Sequence, residues 1–447
     1  MLCLKPQTGS EELEKAKLRD VEGFFVAHAV SKGVGRVTGF ISRQKHNYRV
    51  AITRSAVNSF LINLTAQYDS IYTVALGADS VELGTVNSIG NGIGALISTP
   101  AGWLMDRYGI KRLYLLGMGL LAGAALVYAL APGWQAIIAA IILLSISMRL
   151  TGTGCSVICA DSVHNEDRVT AQNLCVTFAS LLSMIAPLLA APLVTVFGGM
   201  TAQGIRPLYY VRFVGYGLIF LFVTAQLREP RWTRRSEAGT DSGFIGDFRQ
   251  LFSGGGPLRR WIAISSLTWL PMAMTSPFLQ LFAYQIKGAN EYVLSGMTTA
   301  MALAQLLFGI PLGRLADRIG RKRVIYWLTP LWYASNLLLV FSFNSATLIL
   351  AGAFQTFYFI SSGVAGAMTL ELVPVEQMGR WSGLLGLLRG LVTIPAPILG
   401  GLIWDRLGPA YVFFIPLAID LLFKIPLLTT IPETLDHDFS EYHLSDR

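Results

Sequence analysis

The stretch PAGWLMDRYGIKR, Pro100 to Arg112, interrupts an apolar chain with two glycines and four charged residues. The stretch PLGRLADRIGRKR, Pro311 to Arg323, repeats it, with Pro, Gly, Leu, Asp, Arg, Gly, Lys and Arg at matching places. The second stretch begins 211 residues after the first. A repeat this specific indicates that the chain contains two related halves.

The composition is that of a chain embedded in lipid. Of the 447 residues, 53% are hydrophobic and 14% are charged, whereas about 25% are charged in soluble domains. Twelve apolar runs recur, and each is about 20 residues long, enough to cross a bilayer. Because backbone groups in lipid must be hydrogen-bonded within their own segment, we predict that the runs are helices. The predicted spans 1 to 12 cover residues 54–78, 83–105, 111–131, 134–158, 170–197, 207–227, 259–286, 293–316, 324–342, 346–370, 380–404 and 409–431.

Six spans follow the same register in each half, which predicts an all-α membrane protein with twelve transmembrane helices in two pseudo-symmetric six-helix bundles. The predicted bundles are residues 51–227 and 259–431, joined by the polar linker 228–258. Lys and Arg concentrate in the connections on the side of this linker. We therefore expect that side, with the terminal segments 1–50 and 432–447, to be cytoplasmic, in a multi-pass protein of the cytoplasmic membrane. Residues 1–50 lack the short apolar core of a signal peptide.

Several other classes of protein are disfavoured. The formal charge of +8 comes largely from basic residues beside the spans, so we expect a lipid bilayer and no nucleic acid around this chain. We recognise no phosphate-binding loop, zinc-ligand spacing or nucleophile triad, and we therefore predict neither an enzyme nor a cofactor. Cys155 and Cys159 lie one helical turn apart, but no histidine falls within a span, which favours a packing role. We expect a monomer that binds a small-molecule substrate.

The repeated pattern G-x-L-x-D-R-x-G-x-K-R follows span 2 and again span 8. It resembles the signature loop of the major facilitator superfamily of secondary transporters. Pro432-Glu433-Thr434, after the last span, also resembles an ending found in this family. The resemblance extends over about residues 50–435 and implies two six-helix bundles that rock about a central site. Such a site opens alternately to either side of the membrane.

The two loops supply the gating residues that we predict. Gly102 and Gly313 allow a neighbouring helix to approach closely. Asp106 and Asp317 end their helices, where the helix dipole disfavours an anion, so each is expected to serve a helix start in the opposite half, at Arg380 and Arg168 respectively. Glycines permit the tight turns, and basic residues hold the loops inside. The full set is Gly102, Asp106, Arg107, Gly109, Lys111 and Arg112, with Gly313, Asp317, Arg318, Gly320, Lys322 and Arg323.

Span 1 contains a carboxylate, and ionisable groups within a membrane usually face a cavity or a partner. Asp69 lies about two thirds of the way along this span, and a second polar stripe includes Asn63 and Gln67. A span with two polar stripes is not expected to face lipid alone. In the family, span 1 lines the cavity, and an acid there often binds protons or cationic substrates. The alternative is a hydrated carboxylate near the outer mouth.

Arg149 in span 4 and Arg389 in span 11 are the other candidates for substrate binding or coupling. Arg149 begins R-L-T-G-T-G, which superficially resembles the family's arginine motif, although its spacing to Asp161 differs from the family pattern. A guanidinium stays charged and can hold a carboxylate or phosphate with two hydrogen bonds. Equally, either arginine could form a structural ion pair or extend its charged end to the membrane surface.

Three further charges are expected to have structural roles. Arg212 is predicted near the outer end of span 6, within reach of the membrane surface. Asp420 and Lys424 are four residues apart in span 12, so we predict that they pair on one helix face.

Three functions fit these features. The leading hypothesis is a proton-coupled secondary transporter of a small organic solute, with export of amphipathic compounds slightly favoured by Ala186-Pro187 and by the acid in span 1. Uptake of an organic anion becomes the better interpretation if Arg149 and Arg389 both face the cavity. A non-transporting membrane sensor or scaffold with the same fold is the third. The substrate, the direction of transport and the coupling ion are not fixed by the sequence.

Overall fold

A computed structural model describes residue 40 and residues 43–163, 168–228, 256–372, 378–431 and 433. Within these residues the chain is helical and contains no strand. Nine of the described helices are long and apolar enough to cross a membrane. The all-α membrane fold predicted from the sequence is confirmed. Most of the linker and of both predicted terminal segments lies outside the described residues.

Nine of the twelve predicted spans each coincide with one continuous described helix. Spans 2 to 6 are the helices Ser80–Tyr108, Ile110–Leu130, Trp134–Ser162, Arg168–Val196 and Ala202–Gln226. Spans 7 to 10 are the helices Gly256–Gln285, Glu291–Ile319, Arg321–Val340 and Ser345–Leu372. Several of these helices extend beyond the apolar run, because a helix continues into the aqueous layer after the lipid ends.

Three predicted spans are interrupted. Span 1 consists of His46–Thr65 and Asp69–Ala75, separated by a turn in which the Tyr68 amide donates to the Thr65 carbonyl at 2.7 Å. It therefore begins before the predicted residue 54. Span 12 contains Tyr411–Ile419 and Ile425–Thr429, with a π-helical turn of five residues between them.

Span 11 is divided into Met378–Thr393 and Pro395–Arg406 by the prolines at its centre. Because Pro397 has no N–H group, the carbonyl four residues earlier, on Thr393, loses its partner within the helix. The Asn91 side-chain amide of span 2 donates to that carbonyl at 3.1 Å. The missing backbone bond in one half is thus replaced by a bond from the other half.

Two turns define one end of the molecule, which we call the motif end. Gly109 links spans 2 and 3 with a φ of 88°, and Gly320 links spans 8 and 9 with a φ of 110°. Residues with a side chain rarely adopt such values. We call the opposite end, which contains the connection between spans 1 and 2, the distal end.

The hydrophobic core differs between these two ends. At the distal end one core includes residues of both halves, such as Tyr68 and Tyr209 from the first half and Phe278 and Phe413 from the second. Towards the motif end each half has its own core, around Tyr114 in the first and Trp261 in the second. The two halves are therefore joined at the distal end and packed separately at the motif end.

Candidate functional site

A cavity of about 610 Å³ lies between the two halves. Spans 2 and 4 of the first half and spans 7 and 11 of the second half form its walls. Its polar lining residues are Asn87, Asn91, Ser145, Arg149, Ser276, Arg389 and Thr393. Apolar side chains, among them Ile141, Leu144, Met148, Trp269 and Met272, cover much of the remaining wall. This mixture suits an organic solute that carries one or two polar groups.

Both arginines predicted from the sequence line this cavity. The guanidinium carbon of Arg389 lies 5.6 Å from the centre of the Trp269 ring, within range of a cation–π interaction. The Arg389 Nε is buried and has no hydrogen-bond partner among the described residues. A buried donor without an acceptor costs free energy, which is recovered when an acceptor binds to it. Arg389 therefore has hydrogen-bonding capacity available to a solute.

Arg149 approaches the cavity from the opposite half. Gly94 of span 2 lies next to the Arg149 guanidinium, because a Cβ atom placed on Gly94 would lie 3.4 Å from the Arg149 Nη2. The absence of a side chain at Gly94 leaves space for Arg149. The side chain of Arg149 is exposed, and it lines the same cavity as Arg389. The described lining residues include no Asp or Glu. Each half thus contributes one guanidinium group to the cavity lining.

Asp69 belongs to a different environment, inside the first half. The Tyr209 hydroxyl donates to its carboxylate at 2.7 Å, and Arg212 lies within electrostatic range. The Arg212 Nη1 donates to the Thr65 hydroxyl at 2.8 Å, and its side chain is only 4% exposed. Arg212 is therefore buried in the bundle and does not extend to the membrane surface. Asp69 is not among the residues that line the central cavity.

The two polar neighbours of Asp69 on span 1 are also away from the cavity lining. The Asn63 amide donates to the Ser59 carbonyl one turn earlier, at 2.9 Å. Gln67 is 1% exposed, and neither atom of its amide has a hydrogen-bond partner among the described residues. Gln67 immediately precedes Tyr68, which reaches the other half. The structure therefore separates the predicted candidates into a cavity pair, Arg149 and Arg389, and a span 1 group.

Contacts between the halves close the distal end. The Tyr68 hydroxyl lies 3.1 Å from the Ser295 hydroxyl, and the Thr195 hydroxyl donates to the Glu291 carboxylate at 2.6 Å. Span 2 also presses directly on span 11, because a Cβ atom on Gly84 would overlap the Pro397 carbonyl oxygen. No solute passes this end while these contacts persist.

The predicted gating residues lie at the motif end, where the halves diverge. A crevice of about 380 Å³ separates Thr177 of span 5 from Gly313 and Asp317 of span 8. A Cβ atom on Gly313 would meet nothing within 4 Å, so the close helix approach predicted there is absent in this conformation. The crevice between the motif-end parts of spans 5 and 8 is the physical reason. The side chains of Asp106, Arg168 and Arg380 lie outside the described residues.

The other loop residues are placed as follows. The Asp317 carboxylate is 64% exposed and lies 3.5 Å from Arg321, while Arg107 stacks on the ring of Tyr108. The Arg323 guanidinium donates to the Ile319 carbonyl at 3.3 Å. The backbone of Gly102 is helical, Lys111 is half-buried, and Arg112 and Arg318 are exposed.

Glu433 provides a contact that the sequence analysis did not predict. Its carboxylate accepts from the backbone amides of Arg321 at 2.9 Å and Lys322 at 3.1 Å. These amides begin span 9, where the helix dipole favours an anion. A Cβ atom on Gly320 would lie 2.6 Å from the Glu433 carboxylate, so this glycine also leaves room for it. The contact ties the segment after span 12 to the second motif loop.

We expect Glu433→Gln to lower the free energy of unfolding by about 1–2 kcal/mol, because charged hydrogen bonds to a helix start are lost. Thermal unfolding of the purified protein in detergent measures the effect. Asp405→Asn, at an exposed position in the last turn of span 11, is the control. Equal melting temperatures for the two variants would contradict the expectation.

Two helical bundles around a central cavity that is closed at one end are an architecture typical of membrane transporters. The sequence profile described as the Major Facilitator Superfamily matches residues 50–297 and 262–442. The chain belongs to this superfamily. Members of this superfamily are multi-pass membrane transporters that bind small-molecule substrates within the membrane.

Individual relatives are more distant. The chain is 29% identical over 145 residues to the inner membrane transport protein YajR of Escherichia coli, a match to 32% of each chain. It is 28% identical over 144 residues to multidrug resistance protein 3 of Bacillus subtilis, over 31% of this chain and 28% of that protein. The curated relatives named here and others are matched over only about a fifth to two fifths of their own length.

A solved structure of the nucleoside transporter NupG has the same fold. The two structures superpose with a TM-score of 0.70, covering 86% of this chain and all of that one, at 14% sequence identity. At this identity the likeness shows the fold alone.

Proposed function

We propose that this protein carries a small organic anion across the cytoplasmic membrane by alternating access. One observation carries the proposal: Arg149 and Arg389 line one cavity from opposite halves, with no carboxylate among the described lining residues. Two guanidinium groups disfavour a cation in this cavity and favour a carboxylate, sulfonate or phosphate ester, which each arginine can hold with two bonds. Trp269 and the apolar walls suit the carbon skeleton of the solute.

The proposed cycle uses the contrast between the two ends. In the present conformation the halves are joined at the distal end and separate at the motif end. Under the topology predicted from the sequence, the cavity then faces the cytoplasm. An anion that contacts both arginines draws the two halves together, and closure at the motif end would let the distal end open. The loops containing Asp106 and Asp317 are proposed to stabilise that second state.

We expect Arg389→Gln to weaken binding and transport of the anion about tenfold or more, because a charge-assisted hydrogen bond is lost. Counterflow in proteoliposomes measures transport with a panel of labelled carboxylates, sulfonates and phosphate esters. Arg389→Lys keeps the charge and should retain part of the activity. Arg406→Gln, at the exposed last residue of span 11, is the matched control. Counterflow that is absent from the wild-type protein for the whole panel overturns the proposal and favours a sensor or scaffold.

Export of amphipathic compounds is a second candidate function. It is supported by the similarity to multidrug resistance protein 3 and by 30% identity over 135 residues to the class B tetracycline resistance protein of Escherichia coli. The apolar part of the cavity wall suits such compounds. Accumulation of a lipophilic cation, tetraphenylphosphonium, in cells with and without the protein discriminates the two functions. Lower accumulation with the protein present supports export, and no difference favours the anion carrier.

Proton coupling is proposed for either function, with the proton gradient as energy source. Asp69 is a candidate proton site because it is buried and accepts a hydrogen bond from Tyr209. It also follows Tyr68 directly in the chain, and the Tyr68 hydroxyl contacts Ser295 of the other half. A change in the charge of Asp69 therefore occurs next to the contact between Tyr68 and Ser295 that joins the halves at the distal end. Transport that responds to an imposed pH gradient in proteoliposomes would support this coupling.

A further inference from the structure

The wall that span 2 gives to the cavity contains two asparagines whose amides are held by backbone carbonyls. The Asn87 Nδ2 donates to the Leu83 carbonyl at 2.9 Å, and the Asn91 Nδ2 donates to the Thr393 carbonyl at 3.1 Å. A carbonyl oxygen can only accept, so these bonds fix which end of each amide is the nitrogen. Both residues line the cavity, and because they are one helical turn apart they lie on the same face of span 2.

These bonds leave mainly hydrogen-bond acceptors for a solute. An asparagine amide has two N–H donors and one oxygen with two lone pairs. One N–H of each amide is used within the protein, so each residue keeps one donor and two acceptor positions. The Thr393 hydroxyl, which also lines the cavity, donates its only proton to the Gly390 carbonyl at 3.3 Å and keeps its two lone pairs. On this surface, which we call the acceptor wall and define as Asn87, Asn91 and Thr393, acceptors therefore outnumber donors by about three to one.

The other polar residues of the described lining complete the comparison. The hydroxyls of Ser145 and Ser276 can rotate to donate or to accept, whereas Arg149 and Arg389 can only donate. The polar surface is thus divided into a donor group, the two arginines, and the acceptor wall. Arg389 comes one turn before Thr393 on span 11, about 6 Å along the helix axis. One small molecule can therefore contact both groups.

The two groups together restrict the chemistry of the solute. An alkyl carboxylate offers only acceptors, so it satisfies the guanidinium groups but leaves the acceptor wall unpaired once water is excluded. An ammonium group would supply donors, but its charge is repelled by the two guanidinium groups. A hydroxyl group donates without carrying charge. The carbon–hydrogen faces of a hydroxylated skeleton can pack on the apolar lining, which includes Trp269 and Met272.

We propose that the transported solute is an organic acid that bears several hydroxyl groups. Its acid group binds the guanidinium groups of Arg149 and Arg389. Its hydroxyl groups donate to the acceptor wall. A site built to bond a substrate hydroxyl discriminates against an analogue that lacks it, because the polar groups of the site are then left unpaired. This inference rests on the proposed anion carrier and names its substrate class.

The test compares acids that share a carbon skeleton and a charge and differ in their hydroxyl groups. Purified full-length protein in detergent is titrated calorimetrically with gluconate and hexanoate, and with quinate and cyclohexanecarboxylate. Titration into detergent alone corrects for partitioning into micelles. In at least one pair, we expect the wild-type protein to bind the hydroxylated acid about tenfold or more tightly than its partner. A preference in neither pair overturns the inference, and so does failure of all four acids while another anion of the panel described above binds.

Asn87→Leu keeps a similar shape and removes the amide, so it should lose most of the preference for the hydroxylated acid. The preference is a ratio of two affinities measured on one sample, and it does not depend on the fraction of protein that is folded. Thr85→Val is the matched control. The Thr85 hydroxyl donates to the Val81 carbonyl at 2.8 Å on the same span, but Thr85 is not among the residues that line the cavity.

The outcomes separate the two proposals. The Thr85→Val variant should keep the wild-type ratio, and an Asn87→Leu variant that also keeps it overturns the inference. If Asn87→Leu does not fold, the comparison of the paired acids with the wild-type protein still decides. Failure of every anion to bind the wild-type protein overturns the proposed function instead.

Discussion

Gly84→Val is expected to reduce transport roughly a hundredfold while the protein remains folded. A side chain at this position would overlap the carbonyl oxygen of Pro397, which is backbone in the opposite half. A backbone atom cannot rotate away, so the two halves must separate at the distal end. A bias of several kcal/mol towards one state leaves little population of the other, and cycling nearly stops.

Labelling measures the trapped state directly. In a cysteine-free background, Asn87→Cys places a thiol in the cavity, and the Gly84→Val variant should expose it to an impermeant maleimide from the distal side. Gly217→Val is the matched control, because a Cβ atom there would meet nothing within 4 Å. Gly401→Val should reproduce the effect, since a Cβ atom there would overlap the Ser80 carbonyl. Normal transport by Gly84→Val would show that the distal contact is not a gate.

Asp69→Ala is expected to have the largest effect on stability, a loss of about 3–5 kcal/mol in the free energy of unfolding. Removing this carboxylate leaves Arg212 buried with an uncompensated positive charge, and it also removes the acceptor of the Tyr209 hydroxyl. Chemical denaturation in detergent micelles measures the change. A free energy of unfolding equal to that of the wild-type protein would mean that Asp69 and Arg212 do not interact.

The double variant Asp69→Asn with Arg212→Gln separates stability from coupling. Both charges are removed, so most of the stability lost in the single variants should return. If Asp69 also binds the transported proton, the stable double variant will still transport in counterflow but will no longer respond to a pH gradient. A double variant that keeps the full response would limit Asp69 to a structural role.

Much of the fold follows from local sequence. The apolar runs indicate helices because lipid offers no partner to the backbone, and the repeated loop marks the equivalent turns of the two halves. The breaks in spans 1, 11 and 12 are harder to predict from the sequence than the helices themselves. Pro395 and Pro397 could have indicated the break in span 11, but no residue in span 1 comparably marks the turn before Asp69.

The site was predicted less completely. Arg149 and Arg389 were candidates because charge is rare within a membrane, and the structure brings both to one cavity. The rotation of each helix decides which side chains meet, and that rotation depends on packing between distant segments. Tyr209 and Asp69 are an example, since they come from spans 6 and 1 and are joined by a hydrogen bond. Glu433 and the start of span 9 are another, separated by more than a hundred residues in sequence.

The bond from Asn91 to the Thr393 carbonyl has a consequence for how the distal end opens. When the halves part, this carbonyl has no donor in its own helix, because the residue that would supply one is Pro397. Leaving the Asn91 amide and the Thr393 carbonyl without a hydrogen-bond partner would cost about 1–3 kcal/mol for each. Water must therefore enter the interface between spans 2 and 11 as the two helices move apart. Separation of the bundles and hydration of this interface then occur in a single step.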